Sequence, residues 1–384
     1  MRSRRLLLGS TVVAAVFAIS TLSGAPARRV AADLPAQLSD KEFWQLSKDL
    51  SEPPGYFRSE NLVSNETMFQ WVIPELTKTV APGGVYLGVA PDQNFTYIVA
   101  LRPKMAFIVD IRRGNVLEHL LYKALIEMSA DRADFLSRLF SRQRPSGLST
   151  TSTADQLVIA YDRVAASPSL FQANQTTVLD LLEKKHGFTM SRGDEDGLRW
   201  VYQAFYSEGP ELTYAYSGSN AGRGFGRGMG PGMFATYGDL QAQTDAAGVN
   251  HAYLGSEGNY LWLKAFEAKN LLVPMNGDFA GPKALRAVGQ YVKDHGATVT
   301  AFYTSNVEQY LFQQGDDWSR FYSNVAALPL DSSSRFIRSV PNSMTSPAQP
   351  GARAASMLCP MALLVKTFLD GNIHGYYDVV AMSR

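Results

Sequence analysis

The sequence predicts an α/β fold with a mostly parallel sheet, and two observations predict it. The run 105–109 is apolar without alternation, as a strand covered on both faces must be, and short strand-forming runs recur at 271–274 and 298–303. Each of them, and the run 85–87 before them, leads into turn-forming or charged residues, with helical patterns in between. Polar residues gathered at strand ends mark open α/β sheets, which bind ligands outside the carboxyl ends of their strands.

The amino-terminal segment reads as a device for export. Arg2, Arg4 and Arg5 precede an apolar run, 6–22, and no acid occurs before Asp33. This is the pattern of an export signal, and Ser3-Arg4-Arg5 before three leucines partly resembles the twin-arginine kind. Small residues at 30–32 set a cleavage frame that leaves Asp33 first, so residues 1–32 are assigned to a signal and 33–384 to one domain. Left uncleaved, the run would serve as a membrane anchor.

In the mature chain, residues 40–50 have helical spacing and stop at Pro53-Pro54-Gly55. Residues 56–66 are mostly polar and read either as a surface turn capping the helix expected at 67–80 or as a ligand loop. Strand 85–87 is broken by Gly88; Pro91–Asn94 supply a turn, and a short helix runs to Leu101 before Pro103 stops it. After strand 105–109 come helical patterns at 116–128, 131–140, 154–164, 176–186 and 195–206, so 129–206 reads as a helical insertion. Residues 217–233 are rich in glycine and read as a flexible loop, with a lid as the alternative. No Gly-Lys-Ser/Thr follows those glycines, so they are not a phosphate loop. Helices at 257–269 and 282–295 flank strand 271–274. An edge strand at 334–340 and a final helix at 361–369 close the chain.

Composition narrows the chemistry. A net charge of +1 gives no nucleic-acid footprint, and no second stretch is long and apolar enough to span a membrane. The single cysteine, Cys359, precludes an internal disulfide, and the five histidines lack metal-ligand spacing, so no metal is expected. Without a Gly-x-Ser-x-Gly elbow, and with no histidine assignable by motif to Ser305 or Ser256, a hydrolase is disfavoured.

With strand one and its turn, strand two ending in Asp110 and the paired late strands, the chain resembles a Rossmann-like domain of the class I methyltransferase type. It is similar to a family of uncharacterised bacterial proteins carrying the strings QNFTYIVALRPKMAFIVDIRRGN and FYTSNVEQYL. The resemblance implies that S-adenosylmethionine is the cofactor, with Asp110 on the ribose and Gly88, Asp92 and Asn94 shaping the cofactor loop. The loop departs from the Gly-x-Gly pattern: Val89, Ala90, Pro91 and Asp92 stand where bare backbone is needed. An exported protein is also remote from the cytoplasm, where that cofactor is made and used.

Two functions follow. One is an exported methyltransferase, or a degenerate relative, acting on a small molecule between the strand ends and the 56–66 loop. Glu308 or Asp278 would be its general base, and Asn61 and Asn306 would contact the ligand. The other is a non-catalytic exported protein that holds a small anion with Arg112 and Arg113 at a helix start.

Overall fold

A computed structural model describes residues 33–214, 216, 234–345 and 353–384; the export-signal reading of 1–32 and the whole of the 217–233 loop lie outside the described residues. Six strands form one sheet: β1 (Val85–Gly88), β2 (Met105–Asp110), β3 (Leu272–Asn276), β4 (Val299–Ser305), β5 (Arg335–Pro341) and β6 (Ala354–Pro360). Their order is β3-β2-β1-β4-β5-β6, all parallel except β6, which runs antiparallel to β5. The fold is thus α/β and Rossmann-like. From β1 the chain builds outward to β2 and β3, then returns to β4 on the other side. The β1/β4 boundary is therefore the switch point where such sheets open a crevice.

The apolar runs make the central strands for the reason expected. Every residue of β1, β2 and β3 is buried, because helices cover both faces. Helix α1 (Asp40–Leu50) starts at a Ser39–Glu42 capping box and packs beside β3. Before β1, the segment expected to be helical over 67–80 is a 3-10 turn, Phe69–Val72, and then a shorter helix α2 (Ile73–Thr79). Met68 adopts a left-handed φ of 65° there, which an α-helix does not tolerate.

Helix α3 (Gln93–Leu101) joins β1 to β2, and α4 (Arg113–Met128) leaves β2. From Asn115 to Ile126 every residue of α4 is buried. Helices α5 (Arg132–Leu139), α7 (Pro168–Asp180, with a π turn to Lys185), α8 (Arg192–Glu208) and α10 (Glu257–Ala268) pack on it, and α6 (Ala154–Asp162) packs on α9 (Tyr237–Ala242). Among the described residues every named element between β2 and β3 is a helix, and α9 and α10 lie beyond residue 206. Helices α11 (Ala284–Asp294), α12 (Val307–Leu311), α13 (Asp317–Val325), α14 (Met361–Leu369) and α15 (Tyr376–Ala381) complete the layers.

One strand assignment changes. Residues 334–340 were expected at an edge, yet β5 is internal because β6 pairs along its whole length. β6 escapes a periodicity reading because Ala354, Ala355 and Ser356 give its first half no apolar alternation.

Candidate functional site

The carboxyl ends of β1, β2, β3 and β4 converge on a cavity of about 140 Å³. Its walls include Val89 and Ala90 after β1, Asp110 and Arg112 at β2, Asp278 and Phe279 after β3, and Ser305 and Asn306 at the end of β4. The 56–66 segment contributes Tyr56, Phe57 and Asn61 to its lining. Tyr310 of α12 forms the remaining aromatic wall, its ring edge-on to Phe57 at 5.3 Å.

Backbone strain collects here. Among the described residues seven that are not glycine have positive φ, and Asn61 (49°), Ala90 (67°) and Ser305 (51°) all line this one cavity. Left-handed geometry costs a β-carbon-bearing residue on the order of 1 kcal/mol, so it persists only where surrounding structure imposes it.

The expected site residues divide. Asp110, Arg112, Asp278, Asn61 and Asn306 come together on the cavity wall. Asp110 is not free, however: Arg112 grips both carboxylate oxygens, Nε to Oδ1 at 3.0 Å and Nη2 to Oδ2 at 2.7 Å, and its backbone N–H adds a third bond at 2.9 Å. The acid assigned to ribose and the cation assigned to an anion thus neutralise one another. Arg113 does not join Arg112 in a fork. It turns to Asp194 of α8 at 2.7 Å and lines a separate cleft with Trp44 and Glu52.

The β1–α3 turn is closed on itself. A β-carbon on Gly88 would lie 1.9 Å from Asn94 Oδ1, so the glycine makes room for the protein's own side chain. Asn94 donates from Nδ2 to the carbonyls of Val89, Ala90 and Pro91, and its Oδ1 accepts from the Tyr86 hydroxyl at 2.8 Å. All of its hydrogen-bonding capacity goes into holding the loop. Asp92 faces inward, accepting from Gln241 Nε2 at 2.9 Å and from the Tyr253 hydroxyl at 3.0 Å. Burial pushes its carboxyl up to about 7.

Glu308 also lies behind the cavity wall. Arg338 clasps it at 2.7 and 2.9 Å, and the hydroxyls of Thr304 and Tyr322 complete its shell at 3.2 and 2.8 Å. A carboxylate held by four donors and sealed from solvent is a structural ion pair, so Glu308 is not placed to take a substrate proton. Asp278 is the acid that stays on the wall with room to act. Its Oδ1 caps the Ala280 N–H at 2.9 Å, and burial raises its pKa above the ordinary carboxylate value.

Two further groups of polar side chains stand behind the crevice. On α4, Asn115, Glu118, His119 and Tyr122 share one buried stripe at i, i+3, i+4, i+7 spacing. His119 Nε2 donates to the Ala90 carbonyl at 3.0 Å, and burial pulls that imidazole down to about 4, leaving it neutral. Burial raises the Glu118 carboxyl far above its ordinary value, with the Arg112 charge pulling it back. The second group centres on Glu66, whose Oε1 accepts from Ser305 Oγ at 2.5 Å and whose Oε2 accepts from Gln93 Nε2 at 3.1 Å. Glu66 read from sequence as a cap-region acid; nothing in its neighbourhood along the chain connects it to a serine 239 positions away. Among the described residues no group of three or more His, Cys, Asp or Glu is placed to hold a metal, and no helix is long and apolar enough to cross a membrane.

The fold is Rossmann-like, with a crevice at the sheet's switch point. The family described as Domain of unknown function (DUF7790) matches residues 61–204 and 174–368, which hold all six strands, and the chain belongs to that family. No curated protein matches the chain.

Proposed function

We propose that this chain binds a compact small molecule in the crevice at the carboxyl ends of β1–β4, as an exported relative of methyltransferase-like proteins that no longer transfers methyl groups. The observation that carries the reading is the gathering of three left-handed, non-glycine residues, Asn61, Ala90 and Ser305, around that one cavity. Strained backbone of this kind concentrates at ligand clamps and active sites.

The residues present do not fit S-adenosylmethionine. Asn94 occupies the space over Gly88 that the cofactor's tail would need, and Arg112 already holds the acid that would meet the ribose. The cavity of about 140 Å³ is also below the ~300 Å³ at which pockets for drug-sized ligands begin. An anion is disfavoured for a related reason: Asp110 cancels Arg112, and Asp278 leaves the wall with an acid to spare. The ligand this wall suits has N–H or O–H donors for Asp278 and an apolar part to lie against Phe57, Tyr310 and Phe279.

Isothermal titration with adenosylmethionine and with inorganic phosphate, together with crystal soaks of small amine and hydroxyl fragments, tests this. The expected result is no heat from either titrant at millimolar concentration and fragment density beside Asp278. Saturable adenosylmethionine binding, or fragments seated only outside the crevice, would refute it.

A further inference from the structure

We infer that Ser305 and Glu66 form a nucleophile–base pair in the wall of this crevice, able to accept the acyl group of a small carboxylic ester that also carries an O–H or N–H group for Asp278. The inference rests on the crevice being the ligand site and adds the reaction and the substrate class.

Ser305 is the last residue of β4, and α12 begins two residues later. The register between β4 and β5 slips between Tyr303 and Ser305, and Ser305 itself turns left-handed at φ 51°. A strand that kinks and passes at once into a helix lifts the side chain at the corner out of the sheet, which is how a nucleophilic serine is presented in hydrolases built on parallel sheets. No flanking glycines are present, and Ser305 itself carries the positive φ. Its residue lines the cavity.

The hydroxyl donates to Glu66 Oε1 at 2.5 Å, the direction a proton must travel if Oγ is to attack a carbonyl. Glu66 is fixed in turn. Gln93 Nε2 donates to its other oxygen at 3.1 Å, and Gln93 contacts the Tyr97 hydroxyl at 3.3 Å. Tyr303 and Ser339 supply further hydrogen bonds. Glu66 is 4% exposed, and burial raises its pKa above the ordinary glutamate value while these donors pull it back, which makes it a stronger base than a surface carboxylate. Nucleophile, base and orienting group therefore form one hydrogen-bonded series. The amides of Asn61 and Asn306 share the cavity and are the groups available to an ester's carbonyl oxygen, while Val89, Val307 and Leu311 offer an apolar wall for its carbon chain.

In the first half-reaction Ser305 Oγ bonds to the carbonyl carbon as its proton passes to Glu66. The ester C–O bond then breaks, and Glu66 returns the proton to the departing alkoxide, which leaves as an alcohol. In the second half-reaction a water attacks the acyl carbon and gives a proton to Glu66. The bond to Oγ breaks, Ser305 regains its proton, and a carboxylic acid is released. Ester and water are consumed, acid and alcohol are formed, and no redox partner is needed.

The test is covalent labelling of the mature chain with a small alkyl fluorophosphonate, read by intact mass and peptide mapping, with p-nitrophenyl acetate hydrolysis alongside. A single adduct on the peptide containing Ser305 is expected, absent from Ser305→Ala. Glu66→Gln, which keeps the size and one acceptor oxygen but cannot take a proton, should slow labelling by roughly 100-fold, the usual contribution of a general base. The wild-type rate should climb as pH rises through the Glu66 titration, and the Glu66→Gln rate should lack that rise. A serine that merely satisfies a buried carboxyl would give no adduct in folded wild-type protein, and that outcome overturns the inference, as would equal labelling of Ser305→Ala. Fragments bound in the crevice without an adduct would sink the pair and leave the crevice reading intact. An adduct on Ser305 in protein that also binds adenosylmethionine would do the reverse.

Discussion

Replacing Asp92 with asparagine should make the protein more stable at pH 8 and change it much less at pH 5. The carboxyl is buried against Gln241 and Tyr253, and burial lifts it from an ordinary value of 3.8 to about 7. Because the folded pKa lies above the unfolded one, the folded chain keeps its proton over a range where the unfolded chain releases it. The stability Asp92 contributes is therefore fully present below about pH 4 and is lost as pH rises through 7. Each pH unit inside that window costs about 1.4 kcal/mol, so moving from pH 5 to pH 8 removes roughly 2–3 kcal/mol through this one group. Asparagine keeps a carbonyl oxygen to accept from both donors and does not titrate. The difference in unfolding free energy between Asp92→Asn and wild type should therefore grow by roughly 2–3 kcal/mol over the same interval. Urea unfolding at pH 5 and pH 8 measures it, with the other buried acids and His119 common to both proteins. A difference constant to within about 0.5 kcal/mol would refute the assignment of Asp92 as a buried carboxyl whose pKa burial lifts to about 7.

Other outcomes follow from the same geometry. Arg338→Met should cost ~3–5 kcal/mol in urea unfolding because it leaves Glu308 buried and uncompensated, and adding Glu308→Leu should recover most of the loss. Gly88→Ala should destabilise by about 1–3 kcal/mol or more through the clash with Asn94, and a double-mutant cycle with Asn94→Ala should show strong coupling between the two positions. His186 sits between Glu127 at 2.7 Å and Asp40 at 2.9 Å, which raises its pKa. Its pairing is fully present below the free histidine's pKa and is lost as pH rises through the raised value, so His186→Gln should destabilise more at pH 5.5 than at pH 8.5, measured by thermal unfolding. Asp278→Asn should weaken binding of amine fragments in the crevice while leaving the melting temperature of the unliganded protein nearly unchanged.

Much of the fold was legible because it rests on local rules. Short apolar runs became the central strands, and Pro103 stands two positions past the last residue of α3. β6 was not legible, since an edge strand rich in alanine and serine has almost no periodic signal and pairs only because β5 offers it a partner. The site was legible by position and misread by direction. Strand-end residues such as Asp110, Asp278 and Asn306 reach the cavity because a parallel sheet brings its carboxyl ends together. Asp92 and Glu308 occupy equally plausible places, yet their side chains turn to partners across the fold: Asp92 to Tyr253, 161 positions away, and Glu308 to Arg338, 30 positions away.

The amino-acid sequence by itself determined the class of fold and the ends of the strands at which a ligand would sit. Those depend on apolar periodicity and on where the backbone must turn, and both are written into short stretches of chain. Only the tertiary structure decided which charges cancel and which groups meet. Arg112 closes on Asp110 two positions away, whereas Glu66 reaches Ser305 across 239. The spacing along the chain foretold neither, since a side chain's partner is chosen by burial and by the competition for hydrogen bonds once the layers have packed.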